Sequence, residues 1–595
     1  MGGNTVGNVE LTINGVRVEA DSGSTIMDAA DKAGIHIPRL CHHPRLSMQG
    51  ACRVCIVEVE GVRNTVASCC YPVRDGMVVR THTPEIQRLR RDIVELLLDN
   101  HPSDCNTCER NGNCELQRLA SAMGIRERLF AGERKRYEKD LSSPSVIRDP
   151  EKCILCGRCI RVCGEIQEDA ALSQVYRGFD TVVMPAHNAG FMETVCVSCG
   201  QCINVCPTAA FLEKDATAPF MKAIADPDTI VVSQMAPSVR AAIGECFGLQ
   251  PGRAWEGQCF AAQRALGIDY VFDTQFSADL TIMEEAAEFV AKVKAGGPLP
   301  NITSCCPTWV KYAEHFHPDM LKYLSSAKSP MSMQGALVKT YWAEKMGVDP
   351  DRIFSVAIMC CTCKKFEATR PELHVDGRAA VDAVLTTREF GWLIKHMGID
   401  FFNLPEEEPD SPLGSSTGAG VIFGATGGVT EAALRTAYWM LFDKDLPKEA
   451  VEFKAVRGME GVRVATVDFE GLKVKAAVAH GLANANRVLD RLRGGEEFHW
   501  IEVMGCPGGC IGGGGQPYAG AYAVPLDEAM LLCRSCALYD LDAARTLRLS
   551  HANPDIQGLY RDYLDKPMSH RAHELLHTHY YARVPFGIRP QEAQL

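Results

Sequence analysis

From Val9 to Ala20 apolar and polar residues alternate on either side of Asn14-Gly15. Alternation at period two around Asn-Gly predicts a two-stranded hairpin. Ser24 or Thr25 then caps a short helix over IMDAADKAG that stops at Gly34, so residues 1–80 read as a small α+β domain. From Pro84 to Asn100 the spacing in IQRLRRDIVELLLDN is helical, and residues 115–145 read as a charged helical stretch. Between residues 225 and 540, apolar strand-like runs such as TIVVSQ, IFSVAIMC and HWIEVMG alternate with helical runs such as TIMEEAAEFVAKVKAG. That alternation predicts an α/β region. A charged, His-rich helical tail follows from Leu541. The expected fold class is multidomain, α+β at the start and α/β over the larger part.

The chain has 595 residues, enough for several domains. Hydrophobic residues at 46% and charged residues at 23% are those of a globular chain and exclude a fibrous or largely disordered one. Cysteine changes the picture, because 27 are present and most stand in close groups. No basic-then-apolar leader and no membrane-length apolar run is visible, which predicts a cytoplasmic protein with no membrane span. In a reducing compartment such thiols are metal ligands rather than disulfides. The net charge of -12 argues against nucleic acid as a partner.

The most specific motif is a repeat. Cys153, Cys156, Cys159 and Cys163 have the C-x2-C-x2-C-x3-C spacing, and Cys196, Cys199, Cys202 and Cys206 repeat it about 43 residues later, before Pro207. Thiolates at this spacing hold [4Fe–4S] clusters, and the fourth cysteine of each run crosses to the other cluster. One set is therefore Cys153, Cys156, Cys159 and Cys206, and the other Cys196, Cys199, Cys202 and Cys163. Two zinc sites are the competing reading, which the double, Pro-terminated run disfavours.

Upstream, Cys41, Cys52, Cys55 and Cys69 lie in LCHHPRLSMQGACRVCIVEVEG and VASCCYPV. This stretch resembles the plant-type [2Fe–2S] domain that opens the large iron-sulfur subunit of respiratory complex I and the long [FeFe]-hydrogenases, which implies a β-grasp fold. Cys70 competes with Cys69 for the fourth place, and the register of ASC-x-x-PV in the family implies Cys69. His101, Cys105, Cys108 and Cys114 read H-x3-C-x2-C-x5-C and resemble the His-plus-three-Cys [4Fe–4S] site of the same families; taken alone they suit zinc equally. An imidazole in place of a thiolate raises a cluster's potential.

Three further segments follow: TSCCPTW at 303–309, MCCTCKKFE at 359–367 and EVMGCPGGCIGGGGQP at 502–517. With SQMAPSVR, LSSAKSP, GAGVIFGATGG and HELLHTHY they resemble the signatures of the [FeFe]-hydrogenases over essentially the whole chain. The resemblance implies an H-cluster, a [4Fe–4S] cube joined to a diiron unit carrying CO, cyanide and a bridging dithiolate. Its ligands would be Cys306, Cys361, Cys506 and Cys510, with Cys510 as the bridge. Cys305 would be the relay thiol, with protons expected to pass outward through Glu288, Ser325 and Glu285. Lys364 would hold one cyanide, Met359 and Met504 would flank the diiron unit, and Pro237, Ser238, Gln334 and Phe423 would wall the pocket. The glycine run 512–515 is where backbone approaches closely or turns.

The resemblance implies five parts: a plant-type [2Fe–2S] domain over 1–80, a [4Fe–4S] segment with one His and three Cys ligands over 81–143, a two-cluster ferredoxin domain over 144–217, an H-cluster domain over 225–540, and a small-subunit-like tail over 541–595. The cofactors implied are one [2Fe–2S] cluster, three [4Fe–4S] clusters outside the active site and the H-cluster. The activity implied is reversible H2 oxidation, with ferredoxin, a flavin- and NAD(P)-binding iron-sulfur subunit and a thioredoxin-like [2Fe–2S] subunit as partners in a hetero-oligomer capable of electron bifurcation. A hydrogen sensor and a low-turnover electron carrier or assembly factor are the alternatives. Two positions depart from the family pattern: Cys360 stands where Pro is usual and Cys363 where a small residue is usual. The spacing to Lys364 singles out Cys361 as the ligand. Cys533 and Cys536 are expected on a packed helix, Cys246 and Cys259 as buried apolar residues, and H-E-x-x-H at His573 to His577 is rejected as a zinc motif because no protease core surrounds it.

Overall fold

A computed structural model describes residues 7–127, 129–130, 132–447, 452–520 and 524–585. Strands Asn8–Ile13 and Val16–Asp21 pair antiparallel, with Asn14 at φ 52° and Gly15 at φ 86°, the left-handed pair that a tight hairpin turn requires. They join Val78–Arg80, Ile56–Val59 and Val66–Ala67 in a five-stranded sheet ordered second, first, fifth, third, fourth. Helix Ile26–Lys32 starts at Thr25, not Ser24: Thr25 accepts the Asp28 amide and Asp28 accepts the Thr25 amide, a reciprocal cap. Its Ile26 and Met27 pack with Leu11, Ile13, Val57 and Val79 to close the core of this domain.

Helix Pro84–Asp99 begins with a Thr83 cap and Pro at its first turn, where the missing N–H costs nothing. The expected helix over 115–145 is corrected. It runs only Glu115–Ala122, Gly124 is left-handed at φ 65°, and no described residue from 123 to 145 is helical. The run ERKRYEK has no apolar stripe to bury, so it lacks the packing that stabilises a short helix. The next unit pairs Val146–Arg148 with Phe211–Glu213 and Ser173–Val175 with Val182–Met184 around short helices Arg158–Arg161 and Gln201–Val205.

Two four-stranded sheets build the large region. In the first, Tyr270–Asp273, Ile230–Met235, Ile353–Met359 and Ala383–Thr386 are all parallel. In the second, Asn301–Ile302, Trp500–Met504 and Leu472–His480 are parallel and Val462–Phe469 closes one edge antiparallel. Parallel strands buried on both faces read as continuous apolar runs, which is why these segments are legible in the sequence. Helix Thr274–Ala295 starts from an Asp273 cap, ends at left-handed Gly296, and packs against helices Gly428–Phe442 and Pro330–Leu337. Phe276 and Leu280 on it meet Phe272, Trp342 and Leu413, and each such large side chain stabilises by about 1.5–3 kcal/mol. Helix Glu528–Ala544 runs through residue 541, so the expected start of the tail falls inside a helix; Pro554–Leu559 and His570–Leu576 follow, and 586–595 lie outside the described residues.

Candidate active site

Four chain segments leave the carboxyl ends of parallel strands and converge, as ligand sites in α/β folds do. Pro237 and Ser238 follow Met235, Cys305 and Cys306 follow Ile302, Cys360 and Cys361 follow Met359, and Cys506 and Cys510 follow Met504. All of these line one cavity of about 70 Å³, together with Lys364 and Phe423. The Cys361 thiol is drawn down to about 7 by its hydrogen bond with Cys506, while burial and then Cys361 push Cys306 up to about 11. Cys510 sits against Cys360, a contact that with burial raises its thiol. Cys363 does not line the cavity; its thiol donates to Val197 O at 3.2 Å. Gln334, expected on the wall, is also absent from it: Nε2 is committed to Leu413 O at 2.9 Å.

The residues present suit a sulfur-rich inorganic group. The cavity is lined by soft thiol donors on three separate segments, and Ser238 Oγ is buried there without a hydrogen-bond partner among the described residues. The glycines make room by having no side chain: a Cβ on Gly513 would stand 2.3 Å from Cys360 O, and one on Gly514 2.2 Å from Cys199 O. Lys364 is fixed by Glu367 Oε2 at 2.7 Å and donates to Cys305 O at 3.4 Å.

Behind Cys305 lie the two carboxylates of helix Thr274–Ala295, in the reverse of the expected order. Glu285, wholly buried, accepts from the amide and hydroxyl of Ser304, each at 3.3 Å. Glu288 is the outer one, accepting from Ser325 Oγ at 2.7 Å and paired with Lys292 at 2.9 Å. One turn of helix separates them, and the inward turn carries Glu285. Burial first, and then the Glu288 charge, raise Glu285 to about 8.

The remaining thiols form three groups. Cys69 touches Cys55 at 3.4 Å and is hydrogen-bonded to Cys41, which is also bonded to Cys52. Cys70 is exposed. His101 Nδ1 donates to Pro102 O at 2.9 Å, which leaves Nε2 buried, without a partner among the described residues and able to coordinate. Cys105 is exposed, Lys152 Nζ donates to Cys108 Sγ at 3.4 Å, and Gln117 N donates to Cys114 Sγ at 3.4 Å. In the unit that carries the repeat, burial pushes up the thiols of Cys153, Cys156, Cys159 and Cys163. The Asp169 carboxylate adds first at Cys163, followed by Cys196 and Cys199, and at Cys159 the neighbouring Cys156 and Cys153 add before Cys206.

Several positioning residues are invisible to motif reading. His480 Nδ1 accepts the Gly508 amide at 3.1 Å between Cys506 and Cys510, and Arg534, buried, donates to Ile511 O at 2.6 Å beside Cys510. Lys311 donates to Ser198 Oγ at 3.2 Å, at the seam with the loop that carries Cys196 and Cys199. A single histidine or arginine carries no spacing to flag it. Cys533 and Cys536 lie on a helix but are exposed rather than packed, because helix Glu528–Ala544 turns Leu531, Arg534 and Leu538 inward. Cys259 is buried as expected, whereas Cys246 is only partly so. Of the H-E-x-x-H pair, His573 is exposed, while both nitrogens of buried His577 are engaged, by Ser326 and by Glu284.

Parallel strands delivering cysteine segments to one cavity, behind three further thiol groups, define a chain built to move electrons to and from a buried inorganic centre. The chain belongs to the [FeFe]-hydrogenase family. The description "Iron only hydrogenase large subunit, C-terminal domain" matches residues 229–514, "2Fe-2S iron-sulfur cluster binding domain" residues 7–84, and "NADH-ubiquinone oxidoreductase-G iron-sulfur binding region" residues 90–128. "4Fe-4S dicluster domain" matches 152–210 and "Iron hydrogenase small subunit" 528–583. The chain is 50% identical to NADP-reducing hydrogenase subunit HndD of Solidesulfovibrio fructosivorans over 96% of its own length and 99% of that protein. It is 40% identical to iron hydrogenase 1 of Clostridium pasteurianum, again over 96% and 99%. An apo [FeFe]-hydrogenase structure from Chlamydomonas reinhardtii superposes with a TM-score of 0.55 at 41% identity, covering 62% of this chain and 98% of that one. No described helix is long and apolar enough to cross a membrane.

Proposed function

We propose that this chain is the catalytic subunit of a multimeric, NAD(P)-linked hydrogenase, oxidising H2 reversibly to protons and electrons. The observation that carries the reading is the single cavity lined by Cys306, Cys361, Cys506, Cys510 and the relay candidate Cys305. The four thiols other than Cys305 would hold the cube, with Cys510 as the bridge. When bound, the H-cluster supplies the Lewis-acidic iron and the adjacent base that divide dihydrogen. The protein's own residues do the rest. Lys364, held by Glu367, places a cation at the cavity wall where an anionic ligand is expected. Met359, Met504, Pro237 and Phe423 line the cavity and exclude water. Cys305 passes protons to Glu285, and they continue through Ser325 to Glu288.

Electrons would run between the cube and the Cys196 group, whose loop at Cys199 and Gly200 packs on Gly514 of the Cys510 segment, then to the Cys153 group and on to the His101 and Cys41 sites. This implies a β-grasp [2Fe–2S] domain and three accessory [4Fe–4S] clusters, in the five-part division above. A relative named as an NADP-reducing hydrogenase subunit supports a partner that binds the pyridine nucleotide; the family resemblance extends the proposal to a flavin on that partner, ferredoxin as a second electron partner and bifurcation between the two. Infrared spectra of the matured protein test the reading, since metal-bound CO and cyanide bands arise only from a diiron unit. Cys305→Ser is expected to keep those bands and abolish turnover. Matured protein without the bands, or without hydrogen turnover, would sink it.

A further inference from the structure

The relay described above stops at Glu288, but the hydrogen-bond network does not. The Ser326 amide donates to Glu288 Oε2 at 3.2 Å, the same oxygen that Ser325 Oγ holds. The Ser326 hydroxyl lies 2.8 Å from His577 Nδ1, and His577 Nε2 lies 3.1 Å from Glu284 Oε2. Glu284 is one helical turn before Glu288 and wholly buried, and its other oxygen accepts from Tyr560 at 2.6 Å. The His573 ring lies 4.2 Å from that of His577, centroid to centroid, on the exposed side. The titratable groups facing the His577 imidazole are thus Glu284 and Glu288, the latter paired with Lys292, from the long helix, Tyr560 from the neighbouring segment, and His573 from its own helix.

A purely structural role explains little of this. The tail is already pinned at this point by main-chain bonds, Thr578 N to Ser326 O at 2.8 Å and Lys328 N to Leu576 O at 2.7 Å. An apolar ring would fill the space without requiring partners on both nitrogens. A buried imidazole between a hydroxyl and a carboxylate is instead the arrangement that accepts a proton and keeps it, since the carboxylate stabilises the cation.

We propose that His577, paired with Glu284, is a proton-holding station at the outer end of the relay, loaded from Glu288 through Ser326. This rests on the relay reading given above. Because Glu288 meets Ser326 at its amide, a water at half-exposed Ser326 takes the proton from Glu288 and hands one to the Ser326 hydroxyl as the hydroxyl's own proton passes to Nδ1, so His577 gains one proton and Glu288 loses one. On release the steps reverse, with water at half-exposed Ser326 as the acceptor. Each H2 oxidised yields two protons, and a second holding place lets Glu288 empty before the first proton has left.

His577→Gln tests this, because glutamine keeps a donor and an acceptor but carries no proton. In full-length matured enzyme assayed with a viologen dye, turnover is expected to fall about tenfold, with a flattened pH profile and a larger solvent isotope effect. Thermal unfolding should be unchanged, and added imidazole should restore the rate in His577→Ala. An unaltered rate and profile in His577→Gln, or a loss that comes with unfolding and is not rescued, would overturn the station. Glu285→Gln separates the two readings: if it loses turnover while His577→Gln does not, only the station falls, and if neither does, the relay falls with it.

Discussion

Ser304 reaches Glu285 Oε1 twice, from its amide and from its hydroxyl, each at 3.3 Å, while Glu285 Oε2 is buried and finds no partner among the described residues. A carboxylate with one bare oxygen in an apolar setting is costly to ionise, and Glu285 accordingly stays protonated to about pH 8, by burial first and Glu288 second. In the unfolded chain it ionises near its ordinary 4.5. Between those values the folded state binds more protons, so this group's contribution to stability is present at low pH and declines as pH rises toward 8. The limiting slope is about 1.4 kcal/mol per pH unit. Unfolding of wild type and Glu285→Gln, followed from pH 5 to 9, should show this decline in the first and its loss in the second.

The inner position of Glu285 also sets the order of kinetic effects. Glu285→Gln removes the carboxyl behind Cys305 and is expected to cut turnover by about 10² to 10⁴. Glu288→Gln acts further out, where Lys292 and half-exposed Ser326 give water some access, and should cost less. Steady-state rates at saturating hydrogen check this, and a larger loss at Glu288 would restore the opposite order.

Much of this site is legible in the chain because cysteine spacing is discrete. C-x2-C runs and the strand-then-cysteine pattern name the thiols and the sheet ends, and the cavity gathers Cys306, Cys361, Cys506 and Cys510. The relay order is not legible. Glu285 and Glu288 share one face of a helix, and which is deeper depends on the pose of that helix against Ser304 and Ser325, a tertiary fact with no local signature. Likewise Gln334 looks like a wall residue by its place in the motif, but it does not line the cavity; Nε2 is held by the Leu413 carbonyl, a long-range contact with no local signature. The pattern after Glu115 overstates the helix because charge alternation resembles a helix surface, whereas stability needs an apolar face to bury.

Three thiols within four residues make ligand choice at 360–363 a sharp test. Cys361 bonds Cys506 inside the cavity, whereas Cys363 donates to Val197 O outside it. Cys361→Ser should lose the iron of one cube, measured by metal analysis and electron paramagnetic resonance on protein made without the maturation enzymes. Cys363→Ala should retain that iron and lose about 1 kcal/mol of stability with its hydrogen bond.

His101 offers its buried Nε2 because Nδ1–H is spent on Pro102 O at 2.9 Å. His101→Ala is expected to lose or degrade the neighbouring cluster to a three-iron form. His101→Cys should keep it at a lower potential, since a thiolate adds negative charge to the iron. A redox titration followed by electron paramagnetic resonance reads both, and an unmoved potential in His101→Cys would remove His101 from the ligand set.

The Cys199 loop and the cavity segment meet at a tight backbone joint. Gly514, four residues past Cys510, lies against the loop of Cys199 so closely that an added Cβ would stand 2.2 Å from Cys199 O and 2.7 Å from Gly200 Cα. Gly200 cannot yield easily, being left-handed at φ 72° and itself packed on Thr362. Both neighbours are backbone, so Gly514→Ala must separate the two loops at a cost of about 1–3 kcal/mol. Electron passage across this joint should suffer while chemistry at the cavity, reached from the other side, does not. Hydrogen–deuterium exchange, which requires no electron to leave, is expected to persist, while dye-linked hydrogen oxidation falls about tenfold or more. Equal losses in both assays would mean that the glycine serves the cavity itself; no loss in either would mean that electrons do not cross here.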